Sequence, residues 1–283
     1  MRILITGGRG QLGAALQKVL SDHDIVAKDL PEFDLTDPSS EAQILEANPE
    51  VIIHAGAYTN VDGAEREPAR ATQINRDGTA MVARVAEQLR ARLMYVSTDY
   101  VFDGTLSRPY EETDQPNPLS IYGRTKYEGE IVALKMCRNT LIVRTAWLYG
   151  LTGHNFVKTI MRLAAEKPAL DVVADQRGCP TSADDLAAAL RDLARSGLTG
   201  ICHVTNTGDC TWHEFATRIV RLAGFDTEVR PITTAQAGRL ARRPAYSVLA
   251  RRRWVGEHDA LPHWHDALER FVKQAISMSL PRP

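Results

Sequence analysis

Cysteine is scarce and scattered in this chain. Cys137, Cys179, Cys202 and Cys210 are the four among 283 residues. None forms a C-x-x-C pair or lies at zinc-ligand spacing from a histidine, which argues against a disulfide scaffold and a zinc finger. Long apolar runs are missing too, with none near the roughly 18 residues that suggest a membrane span. The apolar stretch in the opening MRILITGG is too short for the hydrophobic region of a secretory signal. The expectation is a cytoplasmic protein whose reduced thiols serve packing. An excess of one charge is also lacking. A net charge of −1 gives no global field to draw nucleic acid or an anionic membrane, so neither is an expected partner. There is no internal repeat and no low-complexity segment.

What the chain does contain is alternation. Strand-like runs at 2–6 (RILIT), 24–28, 51–54 (VIIH), 93–97 (LMYVS) and 140–144 (TLIVR) are separated by helical patterns at 11–21, 41–47, 71–90 and 122–134. Such β-α order predicts an α/β fold, a doubly wound parallel sheet of Rossmann type. After Gly150 the pattern loosens, which predicts a smaller C-terminal domain packed over the ligand crevice. Ser182 and Asp185 are spaced as a capping pair. Thr211 and Glu214 are spaced as a capping box, with Gly224 as the helix stop. Residues 231–253 read as basic and irregular.

The stretch RILITGGRGQLG carries the first functional signal. Gly7, Gly10 and Gly13 follow the first strand and open the first helix. Glycine there permits a tight turn and close approach of backbone to a pyrophosphate, which the helix N-terminus favours. Arg9, Gln11 and Leu12 belong to the same loop. The second strand ends beside the expected adenosine ribose. Asp29 there suits a 2′-hydroxyl and favours NADH, whereas Lys28 and Arg9 suit a 2′-phosphate and favour NADPH. The balance predicts NADPH, with NADH also accepted. Asp34 and Leu35 are candidates to flank the adenine.

The second signal is Tyr122-x-x-x-Lys126, one helical turn apart, placed after VSTDYVFDG at the C-terminal end of a predicted strand. Thr98 sits at that sheet edge. Reduction of a ketone needs a hydride and a proton. A phenol ordinarily titrates near about 10, and a neighbouring ammonium would bring it toward working pH. Tyr122 is therefore the expected proton donor, Lys126 its electrostatic partner and a ribose anchor, and Thr98 a hydrogen-bond partner of the carbonyl oxygen.

TGGRGQLG, AGAYTNVDGAE, INRDGT, STDYVFDG, YGRTKYEGE, RTAWLYG, and NF followed by DQRGCPT occur in this order, and RRPAYSVL extends the series. Together they resemble the extended short-chain dehydrogenase/reductases and, more narrowly, the dTDP-4-dehydrorhamnose reductase family. The resemblance implies reduction of the C4 ketone of dTDP-4-dehydro-L-rhamnose. By motif position Thr98, Tyr122 and Lys126 form the catalytic trio. Ala55, Gly56 and Ala57 border the cofactor, where the family more often has Asn-Ala-Ala than His-Ala-Gly. Val61, Tyr100, Phe102, Trp147 and Asn155 line the sugar pocket. Arg243 meets the diphosphate. His54 is expected to be a packed strand-end residue.

The implied division is a dinucleotide-binding domain over 1–150, to which 171–205 returns, and a sugar-nucleotide domain from 151–170 and 206–283. A homodimer is a candidate assembly, and no required metal is predicted. Two alternatives stay open. One is reduction of another NDP-4-keto-6-deoxy sugar, such as one giving a 6-deoxytalose. The other, from a different class, is a noncatalytic NADP-binding regulatory subunit.

Overall fold

The computed structural model describes residues 1–253 and 261–279. Part of the expected C-terminal domain thus lies outside the described residues. Six parallel strands form the central sheet: β1 (Arg2–Thr6), β2 (Asp24–Lys28), β3 (Val51–His54), β4 (Arg92–Thr98), β5 (Thr140–Thr145) and β6 (Gly200–His203). Their order is β6-β5-β4-β3-β1-β2. From β1 the chain steps to β2 on one side and then crosses back past β1 to β3 on the other. The switch in direction opens a crevice at the carboxyl ends of β1 and β3.

The longer helices are α1 (Gln11–Val19), α2 (Ser39–Ala47), α3 (Thr79–Leu89), α4 (Ile121–Met136), α5 (Phe156–Glu166), α6 (Ala183–Arg195), α7 (Trp212–Leu222) and α8 (Trp264–Ser279). The central strands are buried on both faces, so they read as continuous apolar runs whose side chains alternate between two cores. Ile3, Ile5, Ile53 and Val143 face α1 and α6 through Leu12, Leu16, Leu186 and Leu190. Leu4, Ile52, Leu93 and Ile142 face α2, α3 and α4 through Ile44, Val82, Val85 and Ala133. A third core joins α5, α7 and α8 through Val157, Ile160, Phe215, Ile219, Leu268 and Phe271. The doubly wound expectation is met.

Three local expectations are corrected. The helix expected over 71–90 starts at Pro68 and is widened by a π-helical turn at Gln73–Gly78. That turn rotates Asn75 inward, where its side chain accepts from the Tyr58 amide and donates to Thr125 Oγ1. Ser182 makes no side-chain cap on α6, and its would-be partner Asp185 instead accepts from Asn206 and Arg270. The stretch 231–253 is not wholly irregular, because its first two residues end a strand, Glu228–Ile232, parallel to Ala169–Val173, and the short helix Thr234–Ala237 follows with its own capping box. The Thr211–Glu214 capping box opens α7 as expected.

Helix α4 is fixed to the sheet by charge. Arg144 on β5 donates through Nε and Nη2 to the two Glu130 carboxylate oxygens at 2.9 and 2.6 Å. Ser97 on β4 donates to the same carboxylate at 2.5 Å. Both charged side chains are 1% exposed. Removing one member of such a pair leaves the other charge buried and uncompensated. Glu130→Gln should lower the unfolding free energy by about 3–5 kcal/mol in urea titrations. The double variant Glu130→Leu/Arg144→Met should recover most of that loss.

Candidate active site

A cavity of about 720 Å³ opens at the carboxyl ends of the strands. A separate depression of about 540 Å³ beside Arg177, His213 and Arg218 receives no residue of the glycine loop or the Tyr-Lys pair. The glycine loop and the segment after β3 meet at the switch point. Gly7 has φ +72°, and a Cβ there would lie 2.8 Å from the Gly56 amide nitrogen. A Cβ on Gly13 would lie 2.1 Å from the Gly7 carbonyl oxygen. Only glycine lets α1 seat this closely on the loop. The N-cap, Gly10, has no side chain to occupy the first-turn N–H groups of α1. This is a backbone cradle of a shape that a Cβ would fill, and it fits a dinucleotide pyrophosphate.

Gly7, Gly10, Gln11, Leu12, Gly13, Asp29, Ala55, Gly56 and Ala57 all line the cavity. Arg9, Asp34 and Leu35 do not. Asp29 accepts from the Arg9 amide at 2.7 Å, and the Arg9 guanidinium bonds the Leu30 carbonyl and pairs with Glu32. Asp34 accepts from the Thr36 amide and hydroxyl, and Leu35 packs over Gly56 and Gly78.

Behind the cradle runs a directional chain of hydrogen bonds. The Gly56 amide donates to Thr6 Oγ1, which lies 2.6 Å from His54 Nδ1. His54 Nε2 lies 3.0 Å from Thr79 Oγ1, and that hydroxyl donates to the Asn75 carbonyl. Because the single Thr79 proton is committed to Asn75, His54 must carry its proton on Nε2 and accept from Thr6 on Nδ1. Burial, and then the charge of Lys126, depress the His54 pKa to about 3.

The opposite wall carries Thr98, Tyr122 and Lys126. Thr98 ends β4, and Tyr122 is the second residue of α4, whose N-cap Ser120 accepts from the Gly123 amide. A Cβ on Gly123 would lie 2.1 Å from the Tyr100 carbonyl, so glycine allows the helix to sit against the turn after Thr98. Burial lifts the Tyr122 pKa to about 12, a hydrogen bond with Thr98 opposes the rise, and the charge of Asp99 adds to it. The expected depression by Lys126 is absent from this balance. Lys126 Nζ donates to the Val96 carbonyl at 2.7 Å and sits 4.0 Å from the centre of the Tyr95 ring. Its own burial lowers its pKa to about 7, against the pull of Glu130. Thr98 is also oriented differently from expectation. Its hydroxyl donates to Asp99 Oδ1 at 3.1 Å, and its oxygen accepts from the Tyr100 amide at 3.2 Å. Asp99 accepts in addition from Ser247 at 2.6 Å, and burial raises its pKa to about 7.

Val61, Tyr100, Trp147 and Asn155 line the remaining wall, joined by Phe156 and Trp212. Phe102 does not reach the cavity. It is fully buried and stacks on Tyr110 with ring centres 4.1 Å apart. Arg243 does not line it either, because its guanidinium is forked onto Asp62 at 3.2 and 3.0 Å.

This arrangement has close counterparts among known proteins. Residues 1–277 match the family described as RmlD substrate binding domain. The dTDP-4-dehydrorhamnose reductase of Sinorhizobium fredii is 40% identical, over 96% of this chain and 97% of that protein. The chain belongs to the dTDP-4-dehydrorhamnose reductase family. Family membership makes it an oxidoreductase and agrees with its doubly wound fold. The crystal structure of a dTDP-4-dehydrorhamnose reductase from Bacillus anthracis in complex with NADP matches with a TM-score of 0.93 and 42% identity, covering 96% of this chain and 99% of that one. A probable dTDP-4,6-dihydroxy-2-methyloxan-3-one 4-ketoreductase of Streptomyces antibioticus is 41% identical, over 99% of this chain and 98% of that protein.

In this member of the dTDP-4-dehydrorhamnose reductase family, sequence reasoning missed Asp99, Trp212, Ser247 and the hydrogen-bond chain through His54, whose buried place at the end of β3 is as expected. Asp99 had one usable signal, a carboxylate directly after a strand-end threonine. His54 yields a pH test. The unfolded imidazole takes up a proton near pH 6.5, while the folded one refuses it down to about pH 3. Its contribution is complete above pH 6.5 and is lost as pH falls toward 3. Thermal midpoints of His54→Asn should decline less than wild type across that window, and equal slopes would sink the assignment.

Proposed function

We propose that the chain reduces the C4 ketone of dTDP-4-dehydro-L-rhamnose to dTDP-L-rhamnose, using NADPH and accepting NADH. The observation that carries this reading is the convergence of Thr98, Tyr122 and Lys126 on one wall of a cavity whose other end is the glycine cradle. The dTDP-4-dehydrorhamnose reductases among its relatives support the choice of sugar nucleotide, and the NADP complex from Bacillus anthracis supports the cofactor type.

When bound, the nicotinamide cofactor supplies the hydride. Gly7, Gly10, Gln11, Leu12 and Gly13 would hold its pyrophosphate, and Arg9 and Asp29 its adenosine ribose. Asp34 and Leu35 would support the adenine from behind. Ala55, Gly56, Ala57, Tyr122 and Lys126 would border the nicotinamide end.

Tyr122 gives its proton to the substrate oxygen as the ketone becomes an alkoxide. A pKa held near 12 keeps the phenol protonated, which is the form a donor needs. Thr98 aims that phenol, and Asp99 fixes the direction of the Thr98 hydroxyl. Val61, Tyr100, Trp147 and Asn155 hold the hexose, with Phe102 bracing the wall from inside. Arg243 acts through Asp62 and Tyr100 and shapes the nucleotide end. Of the expected 151–170 and 206–283, the described residues 151–170, 206–253 and 261–279 form the sugar-nucleotide lobe in this reading.

The Streptomyces antibioticus relative favours one second reading, a reductase of another dTDP-4-keto sugar. The intact trio beside an intact cradle disfavours a noncatalytic subunit.

The test follows NADPH oxidation by absorbance with fresh dTDP-4-dehydro-L-rhamnose and identifies the product by NMR. Tyr122→Phe should lose at least about 100-fold in kcat/KM while NADPH affinity stays at the wild-type value. Retention of most activity would remove Tyr122 as proton donor. A talo product would move the assignment to the second reading.

A further inference from the structure

Trp147 holds a backbone conformation that its surroundings must enforce. Asn48, Arg90 and Trp147 are the non-glycine residues with positive φ among the described residues. Asn48 and Arg90 end helices, where that conformation is routine. Trp147 ends none, and at φ +47° a bulky residue is strained. Three contacts hold it. Its carbonyl accepts from the Thr181 amide at 3.2 Å. Its indole lies over Gly178, where any Cβ would be 2.5 Å from Cε2. Its other face is covered by Trp212, with ring centres 3.5 Å apart and planes 6° from parallel.

Trp212 is itself delivered to this place. It is the first residue of α7, immediately after the capping threonine Thr211. Residues Cys210–Thr211 pair antiparallel with Arg177–Gly178, so the strand beneath the Trp147 indole is bonded to the strand that leads directly into Trp212. Phe156 leans on Trp212 with ring centres 4.5 Å apart. Trp147, Phe156 and Trp212 all line the cavity that contains Thr98 and Tyr122.

We propose that Trp212 is a positioning residue that determines specificity, holding the Trp147 indole as a fixed wall so that a hexose can present only one face of its ketone. This rests on the ketosugar reading of the cavity. An indole face covers the apolar C–H face of a sugar ring, and a fixed indole fixes the ring's register. A wall free to tilt admits the flipped ring, and hydride then arrives on the opposite face of C4.

The test uses the full chain with Trp212→Leu and Trp212→Phe. Closely stacked indoles couple electronically, so wild type should give a paired circular-dichroism couplet that disappears in both variants and in Trp147→Phe. Trp212→Leu should raise KM for the ketosugar about tenfold, lower kcat by less, and release some of the C4 epimer. Trp212→Phe, which keeps a flat ring, should recover much of the KM and the single epimer. NADPH affinity should not move.

Unchanged KM and epimer ratio in a folded Trp212→Leu that has lost the couplet would overturn the inference and leave the reductase standing. A wild-type protein that shows the couplet yet never turns over the ketosugar would overturn the reductase reading, and the inference with it.

Discussion

The buried carboxylate of Glu130 is the point through which α4, β4 and β5 are held in register. It accepts from Arg144 on one strand and Ser97 on the next, and its own helix carries Tyr122 and Lys126. Ser97 immediately precedes Thr98, so one carboxylate sets the distance between the end of β4 and the start of α4. Gly123 and Gly129 make that distance short. A Cβ on Gly129 would lie 2.5 Å from both the Asn75 carbonyl oxygen and the Tyr95 hydroxyl. Polar attraction in a low-dielectric interior and the removal of two side chains together seat the helix. The pair is best understood as a fixture of geometry rather than a source of net stability, since an apolar replacement of both partners costs little.

A second fixture stands at the switch point. The chain from Gly56 through Thr6, His54 and Thr79 to Asn75 joins β1, β3 and the π-helical turn without a charge. A neutral imidazole can donate from one nitrogen and accept on the other, which a protonated one cannot. The π-turn completes the chain by bringing Asn75 beneath Tyr58 and Thr125.

Much of this was legible because it is local. The strands announce themselves by apolar runs, and the glycine loop by its place between strand and helix. The Tyr-Lys pair announces itself by one turn of spacing. What escaped depends on partners far away in the chain. Asp99 meets Ser247 across 148 positions, and Arg243 meets Asp62 across 181. Asp62 claimed the guanidinium expected at a diphosphate, and no local pattern announces such a partner. Phe102 looked like a pocket residue because it follows Tyr100 in one motif. Yet the 3-10 turn Asp99–Val101 rotates it inward, onto Tyr110 and under Arg144. The direction of the Tyr122 pKa was equally illegible, because spacing gives the presence of Lys126 but not how deeply both groups are buried.

Gln11 joins the two halves of the crevice. Its side-chain oxygen accepts from the Gly150 amide at 2.8 Å and from Asn155 Nδ2 at 3.0 Å. One residue at the head of α1 thereby holds the loop that borders the far wall, and Asn155 in turn caps α5 through the Lys158 amide. The head of α1 and the loop at Gly150 share one acceptor atom, so their positions are coupled. Any displacement of α1 changes the hydrogen bonding of the loop at Gly150 and of Asn155. Linkage requires the reverse influence to be of equal size.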